Sequence, residues 1–151
     1  MAPEIFRNKK YSKESDIYSL GMIMWELMTG RRPFWDHDHN VELLIFIWDG
    51  LRPVVTEDTP ECFANLVKQC WDSDPSKRPS IKKIRETVGG WYYRNINVEQ
   101  FNQAEEKRSE LIKLKKLGPE FTVKHSGAIY TSRSLSSHLS NTSQGTYYII
   151  K

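Results

Sequence analysis

An all-α fold is predicted for this chain of 151 residues, and three features of the sequence predict it. Residues 59–71 carry one apolar stripe at helical spacing behind a proline start signal. Residues 16–28 are apolar on nearly every face over a length that suits a buried helix. Residues 97–116 open on a capping pattern and are densely charged throughout.

The first helix is expected from about Asp16 to Met28, capped by Ser15 and stopped by Gly30 ahead of Arg31-Arg32-Pro33. Asp16 adds a negative charge where the helix dipole is positive. Ile17, Tyr18, Leu20, Met22, Ile23, Met24, Trp25, Leu27 and Met28 leave no polar face, and a helix of that kind is expected to be buried. A second helix is expected over Asn40–Trp48, with Asp38, His39 or Asn40 as its cap and Gly50 at its end. Its seven large apolar residues exceed what one packed face needs. Burial in the core is the expectation for the surplus, with an interaction surface as the alternative.

The third helix has the cleanest periodicity. Thr59 caps it, Pro60 opens it, and Phe63, Leu66, Val67, Cys70 and Trp71 fall at i, i+3, i+4, i+7 and i+8. Cys70 lies on this stripe and reads as a small core residue; nothing assigns Cys62. A turn-rich run, Asp72–Lys77, leads to a fourth helix from Pro79-Ser80 that places Ile81, Ile84, Val88, Trp91 and Tyr92 on one side, with Gly89-Gly90 ending or bending it. Asn97 and Gln100 then form a capping-box pattern for a charged helix to about Lys116, whose apolar positions keep no heptad, so it is expected to stand in solvent. Residues 126–145 hold seven Ser and two Thr, a composition that favours disorder, while Tyr147-Tyr148-Ile149-Ile150 suits a short strand.

Net charge is +3 from 22 basic and 19 acidic side chains, which provides no footprint for nucleic acid. No apolar run is long enough to span a bilayer, and two cysteines without a secretory leader favour a reducing compartment, cytosol or nucleus. Asp36-His37-Asp38-His39 supplies no third metal ligand at a plausible spacing and reads as a polar capping loop. Arg133-x-x-Ser136 could accept phosphate, although so short a pattern arises often by chance.

One ordered set of motifs goes further. Ala2-Pro3-Glu4, then Ser15-Asp16-Ile17-Tyr18-Ser19-Leu20-Gly21 with Trp25, then Cys70-Trp71 and Arg78-Pro79, resemble the second half of a eukaryotic protein kinase domain, from the end of the activation segment to the last helices of the large lobe. The run Trp25–Phe34 with Cys70-Trp71-x-x-x-Pro75-x-x-Arg78-Pro79 is similar to tyrosine kinases and the tyrosine-kinase-like Ser/Thr group. Gly118-Pro119-Glu120-Phe121 is similar to an expanded fungal family of the latter.

The resemblance covers about residues 1–93 and implies a partial large lobe over 1–94, followed by a charged helical extension over 95–118 and a Ser-rich tail over 119–151. It implies a buried ion pair between Glu4 and Arg78, and it gives Asp16 a role in bracing a catalytic loop. Ala2, Pro3, Gly21, Trp25, Trp71 and Pro79 belong to the same structural set. It implies no catalytic, metal or cofactor-binding residue: the sequence has no Gly-x-Gly-x-x-Gly, no His-Arg-Asp and no Asp-Phe-Gly, the parts that hold ATP and Mg²⁺ in the intact family. Those parts are expected upstream of Met1; a truncated gene model with Met1 an internal residue read as a start, an alternative start and a decayed gene copy all fit. The implied function is a piece of an ATP-dependent kinase acting on protein Ser/Thr, less readily Tyr, with a protein substrate or regulator as partner. The alternative is a non-catalytic helical interaction module, a pseudokinase-like scaffold.

Overall fold

The computed structural model describes residues 1–7, 10–116 and 124–131, and among these every regular element is helical. Five α-helices follow one another: α1 (Lys13–Thr29), α2 (Val41–Trp48), α3 (Glu61–Cys70), α4 (Ile81–Arg94) and α5 (Val98–Lys113). Short 3-10 turns at Pro3–Arg7 and Pro75–Lys77 complete the set. Residues 132–151, with the tail serines and Tyr147–Ile150, lie outside the described residues, as do 117–123.

The core forms where α1 packs on α3. Ile17, Tyr18, Met24 and Trp25 of α1 meet Leu66, Val67, Cys70 and Trp71, and Ala2 and Ile84 close the ends. Gly21 sets the closeness of the two helices, since a Cβ there would sit 2.8 Å from the Cβ of Cys70. Burying each large side chain of this group stabilises the fold by about 1.5–3 kcal/mol.

Several boundaries differ from the sequence expectations, each for a local reason. Ser12, not Ser15, caps α1: the Ser15 amide donates to Ser12 Oγ at 3.2 Å and the Ser12 amide donates to Ser15 Oγ at 3.0 Å, a reciprocal box that draws the helix start forward. Gly30 does end it, at φ 66°, with its N–H donating to the Glu26 carbonyl at 2.8 Å. The apolar α1 is not buried all round, because Ile23 and Leu27 are 54% and 77% exposed. In α2, Asn40 is the cap, accepting from the Leu43 amide at 3.1 Å. Leu43 and Ile47 turn inward, while Ile45 and Phe46 stay exposed, so the surplus apolar surface is only partly core.

Thr59 does not cap α3. Its hydroxyl pairs with that of Thr56 at 3.2 Å, and Pro60 occupies the cap position without a side-chain bond. The missing acceptor comes from α5: Gln100 Oε1 receives the Cys62 amide at 2.7 Å. Gln100 therefore closes no box with Asn97, which stands in the left-handed region at φ 60° with no capping bond. Gly89-Gly90 do not end α4. The helix runs to Arg94 and ends at Asn95 (φ 52°), where the Ile96 amide returns to the Gly90 carbonyl at 3.2 Å. Of the stripe expected on α4, Ile84 is buried and Trp91 half-buried, whereas Ile81, Val88 and Tyr92 are exposed.

Nor does α5 stand free. Phe101 meets the Trp91 ring at 5.6 Å, Trp91 meets Phe63 at 6.0 Å, and Ala104 is buried. Arg108 pairs with buried Asp58 at 3.0 Å and donates to the Met28 carbonyl at 2.7 Å. Residues 126–131, expected to be disordered, are instead seated on the loop between α1 and α2: the Tyr130 hydroxyl donates to the Pro33 carbonyl at 3.1 Å and Ala128 is 4% exposed.

Candidate functional site

The densest arrangement of charge lies where the N-terminal 3-10 turn meets the chain just before α4. Pro3 and the buried Ala2 seat this turn, so Glu4 is only 8% exposed despite its place near the N-terminus. Opposite it, Asp74 caps the turn Pro75–Lys77 by accepting from the Ser76 amide at 3.0 Å, and the next residue, Arg78, leaves in extended conformation pointing its side chain inward. Arg78 Nη1 and Nη2 donate to the two carboxylate oxygens of Glu4 at 2.6 and 2.8 Å. This is the two-pronged geometry that only a planar guanidinium offers a carboxylate. Arg78 also donates from Nε to the Asp72 carbonyl and from Nη1 to the Glu14 carbonyl, each at 2.9 Å. One side chain thus joins the N-terminal turn, the start of α1 and the approach to α4.

Tyr18 forms the floor of this cluster. The Arg78 guanidinium lies 5.0 Å from its ring centroid and that of Arg52 lies 5.1 Å away, so one aromatic ring is within cation–π reach of two cations. Burial pushes the Tyr18 hydroxyl up to about 12, with the two arginines opposing that shift, and the hydroxyl has no hydrogen-bond partner. Arg52 is held by the carbonyls of Trp71 at 2.8 Å, Ile47 at 2.7 Å and Leu51 at 2.7 Å, and by Ser73 Oγ at 3.0 Å. Its partial burial lowers the affinity of the guanidinium for its proton. Four acceptors around a half-buried cation are what its desolvation requires.

The other residues of the motif set occupy defined places around the cluster. Trp25 is buried and its indole N–H donates to the Val54 carbonyl at 2.8 Å, pinning the segment after α2 to α1. Trp71 is 4% exposed beneath Arg52, and Pro79 is half-buried beyond Arg78. Asp16 is exposed in the first turn of α1, where its charge complements the helix dipole. Cys70 is fully buried and burial pushes its thiol up to about 11, which leaves it protonated and inert at neutral pH.

Among the described residues no group of three His, Cys, Asp or Glu side chains could hold a metal ion. In the loop Asp36–His39, His37 Nδ1 contacts Asp36 at 2.8 Å, and the ring nitrogens of His39 reach the carbonyls of Ile129 and Phe34 at 2.8 and 3.1 Å. Chemically, the Glu4–Arg78–Tyr18–Arg52 cluster is a clamp: both Glu4 carboxylate oxygens and eight guanidinium hydrogen bonds, four from each arginine, are spent within the fold. Sequence reasoning found Glu4 and Arg78 as a pair but missed Tyr18 and Arg52. Tyr18 carried no signal beyond its apolar neighbours, and Arg52, between Leu51 and Pro53, lies in a run without periodicity.

Comparison with known proteins covers this same part of the chain. A family model described as protein tyrosine and serine/threonine kinase matches residues 1–88. A putative serine/threonine-protein kinase/receptor of Acanthamoeba polyphaga mimivirus is 37% identical over 83 residues, 55% of this chain and 5% of that protein. The human (Homo sapiens) mitogen-activated protein kinase kinase kinase 7 is 36% identical over 85 residues, 56% of this chain and 14% of that protein. Among solved structures, a chain of the AtMLKL3 tetramer, determined by cryo-EM, superposes with a TM-score of 0.59 at 32% identity, covering 76% of this chain and 23% of that one. The chain thus spans between 5% and 15% of the length of the curated relatives compared.

Proposed function

The chain belongs to the protein tyrosine and serine/threonine kinase family, and from that premise we propose that it is the structural half of a kinase large lobe, whose parent transfers phosphate from ATP to Ser/Thr hydroxyls of proteins. The observation that carries this reading is the buried two-pronged contact of Glu4 with Arg78, which joins the two ends of the matched segment. In this reading the chain contributes a brace and not the chemistry. Phosphoryl transfer rests on a phosphate cradle, a lysine and metal-binding acids held in register, and the sequence has none of the family's motifs for them. Preference for Ser/Thr over Tyr follows the relatives' names. A reducing compartment, cytosol or nucleus, suits the free thiols of Cys62 and Cys70. No helix among the described residues is long and apolar enough to cross a membrane.

The test is calorimetric titration of the chain with Mg²⁺·ATP, paired with a radiolabel transfer assay. Neither binding nor transfer is expected. Saturable binding below about 100 μM, the range in which enzymes ordinarily hold substrates, overturns the proposal. A second reading, a non-catalytic module that docks a protein regulator, is favoured by Phe46 and Ile45, which α2 presents 53% and 37% exposed. An open frame running upstream of Met1 into Asp-Phe-Gly and His-Arg-Asp supports the first reading, and a stop codon there supports the second.

A further inference from the structure

The geometry points to a peptide-docking site on the loop 33–39, shaped for a Gly-Ala-x-Tyr segment that follows a tight turn and filled in cis by this chain's own Gly127–Tyr130. The loop side lies within the family-matched residues 1–88, and the occupant lies beyond them, in the extension. Contact is made as short peptides are recognised elsewhere, with main-chain bonds for affinity and separate slots for individual side chains. The His125 amide donates to the Trp35 carbonyl at 3.0 Å, and the His39 amide donates to the Gly127 carbonyl at 3.1 Å. His39 Nδ1 then holds the Ile129 carbonyl at 2.8 Å while Nε2 faces the Phe34 carbonyl at 3.1 Å. His39 is therefore the pivot between loop and segment.

Each position of the segment is read differently. At Gly127 a Cβ would fall 2.0 Å from Asp38 Oδ1 and 2.6 Å from its Cγ, so a side chain there requires the exposed Asp38 carboxylate to turn aside. Ala128 is 4% exposed and therefore covered by the loop, whereas the Ile129 side chain is 44% exposed and unread. Tyr130 is read three ways: its hydroxyl donates to the Pro33 carbonyl at 3.1 Å, the Arg32 guanidinium lies 4.8 Å from its ring centroid, and the His39 ring meets its edge at 4.8 Å.

Two further observations mark the loop as a built site. Phe34 holds φ at 56°, a conformation unfavourable for a bulky residue and concentrated at clamps and binding sites. Next to it, a cavity of about 310 Å³ lined by Phe6, Met22, Leu43, Leu44, Ile47 and Tyr130 stays open, leaving room for an occupant larger than the segment now seated.

A labelled peptide of residues 124–131 tests the site by fluorescence anisotropy against the full chain carrying Gly127→Ala with Tyr130→Ala, whose own segment loses the Tyr130 contacts and meets Asp38 at position 127. Saturable binding is expected to this variant and about tenfold weaker or less to the wild-type chain, where the site is filled. A peptide with alanine at the glycine position should bind the variant at least about tenfold more weakly, the size of a modest steric misfit. A variant that melts like the wild type yet shows no saturable binding overturns the proposal, as does equal binding of the two peptides. If the variant does not fold, amide exchange on the wild type decides: protection of His39 and His125 supports the seated segment, and exchange at the rate of unstructured peptide overturns it. A concentration-dependent dimer that loses its contact on Tyr130→Ala would overturn the cis arrangement.

Discussion

Arg78 commits four donor contacts to the fold, two of them to Glu4, and it does so at 6% exposure. Had the first turn of chain frayed, water would screen the pair and its contribution would fall to about 0–1 kcal/mol. Ala2 and Pro3 are buried with it, however, so the larger figure applies. Arg78→Ala is expected to cost about 3–5 kcal/mol by stranding the Glu4 carboxylate, measured by urea unfolding. A double-mutant cycle with Glu4→Gln should give a clear coupling energy, and a value near zero would show that the contact contributes nothing. The pair was legible because two motif positions 74 residues apart each named the other through the family resemblance. Tyr18 and Arg52 were not, since no local rule pairs an arginine after α2 with a ring on α1.

Among the elements, α1 and α3 were legible for opposite reasons. The stripe on α3 announces one buried face, and Leu66, Val67, Cys70 and Trp71 are all buried as that stripe requires. The all-apolar α1 announces burial without saying where its cover comes from. Helix α5 was misread because two of the residues that dock it, Gln100 and Arg108, are polar, and a search for apolar periodicity sees only Phe101 and Ala104 beside them. Gln100 caps α3 and Arg108 neutralises Asp58, which is 2% exposed. Arg108→Ala is expected to destabilise the chain by about 1–3 kcal/mol, less than for a fully buried pair because Arg108 keeps partial contact with water. Asp58→Asn in the same background should recover part of that loss. Denaturant unfolding checks both changes, and amide exchange along α5 shows whether the helix has come away.

For the whole molecule, exposed apolar surface is the unsettled quantity. Ile23 and Leu27 stand one turn apart on α1, 54% and 77% exposed, and form the largest bare apolar pair on that helix. The chain is therefore expected to bind a fluorescent apolar dye and to self-associate as concentration rises. Ile23→Glu with Leu27→Lys, an i, i+4 pair of favourable order, should reduce dye binding while leaving far-UV helicity unchanged. Dye binding unchanged in that variant would place the bare surface elsewhere, with Phe46 on α2 as the next candidate.

Local chemistry settled which segments are helices and, through the ordered motifs, which family they belong to. Capping residues, proline and glycine punctuation and apolar spacing act within one or two turns, and a motif is a statement about neighbours in sequence. Tertiary packing settled the rest. It decided that a glutamine from α5 caps α3, and that residues 124–131 lie across a loop about ninety positions earlier. It also decided that Tyr18 lies within reach of two guanidinium groups. Each of these depends on a polar group finding its partner across a long stretch of chain. Burial imposes that pairing only after the helices have met, and a linear pattern does not record it.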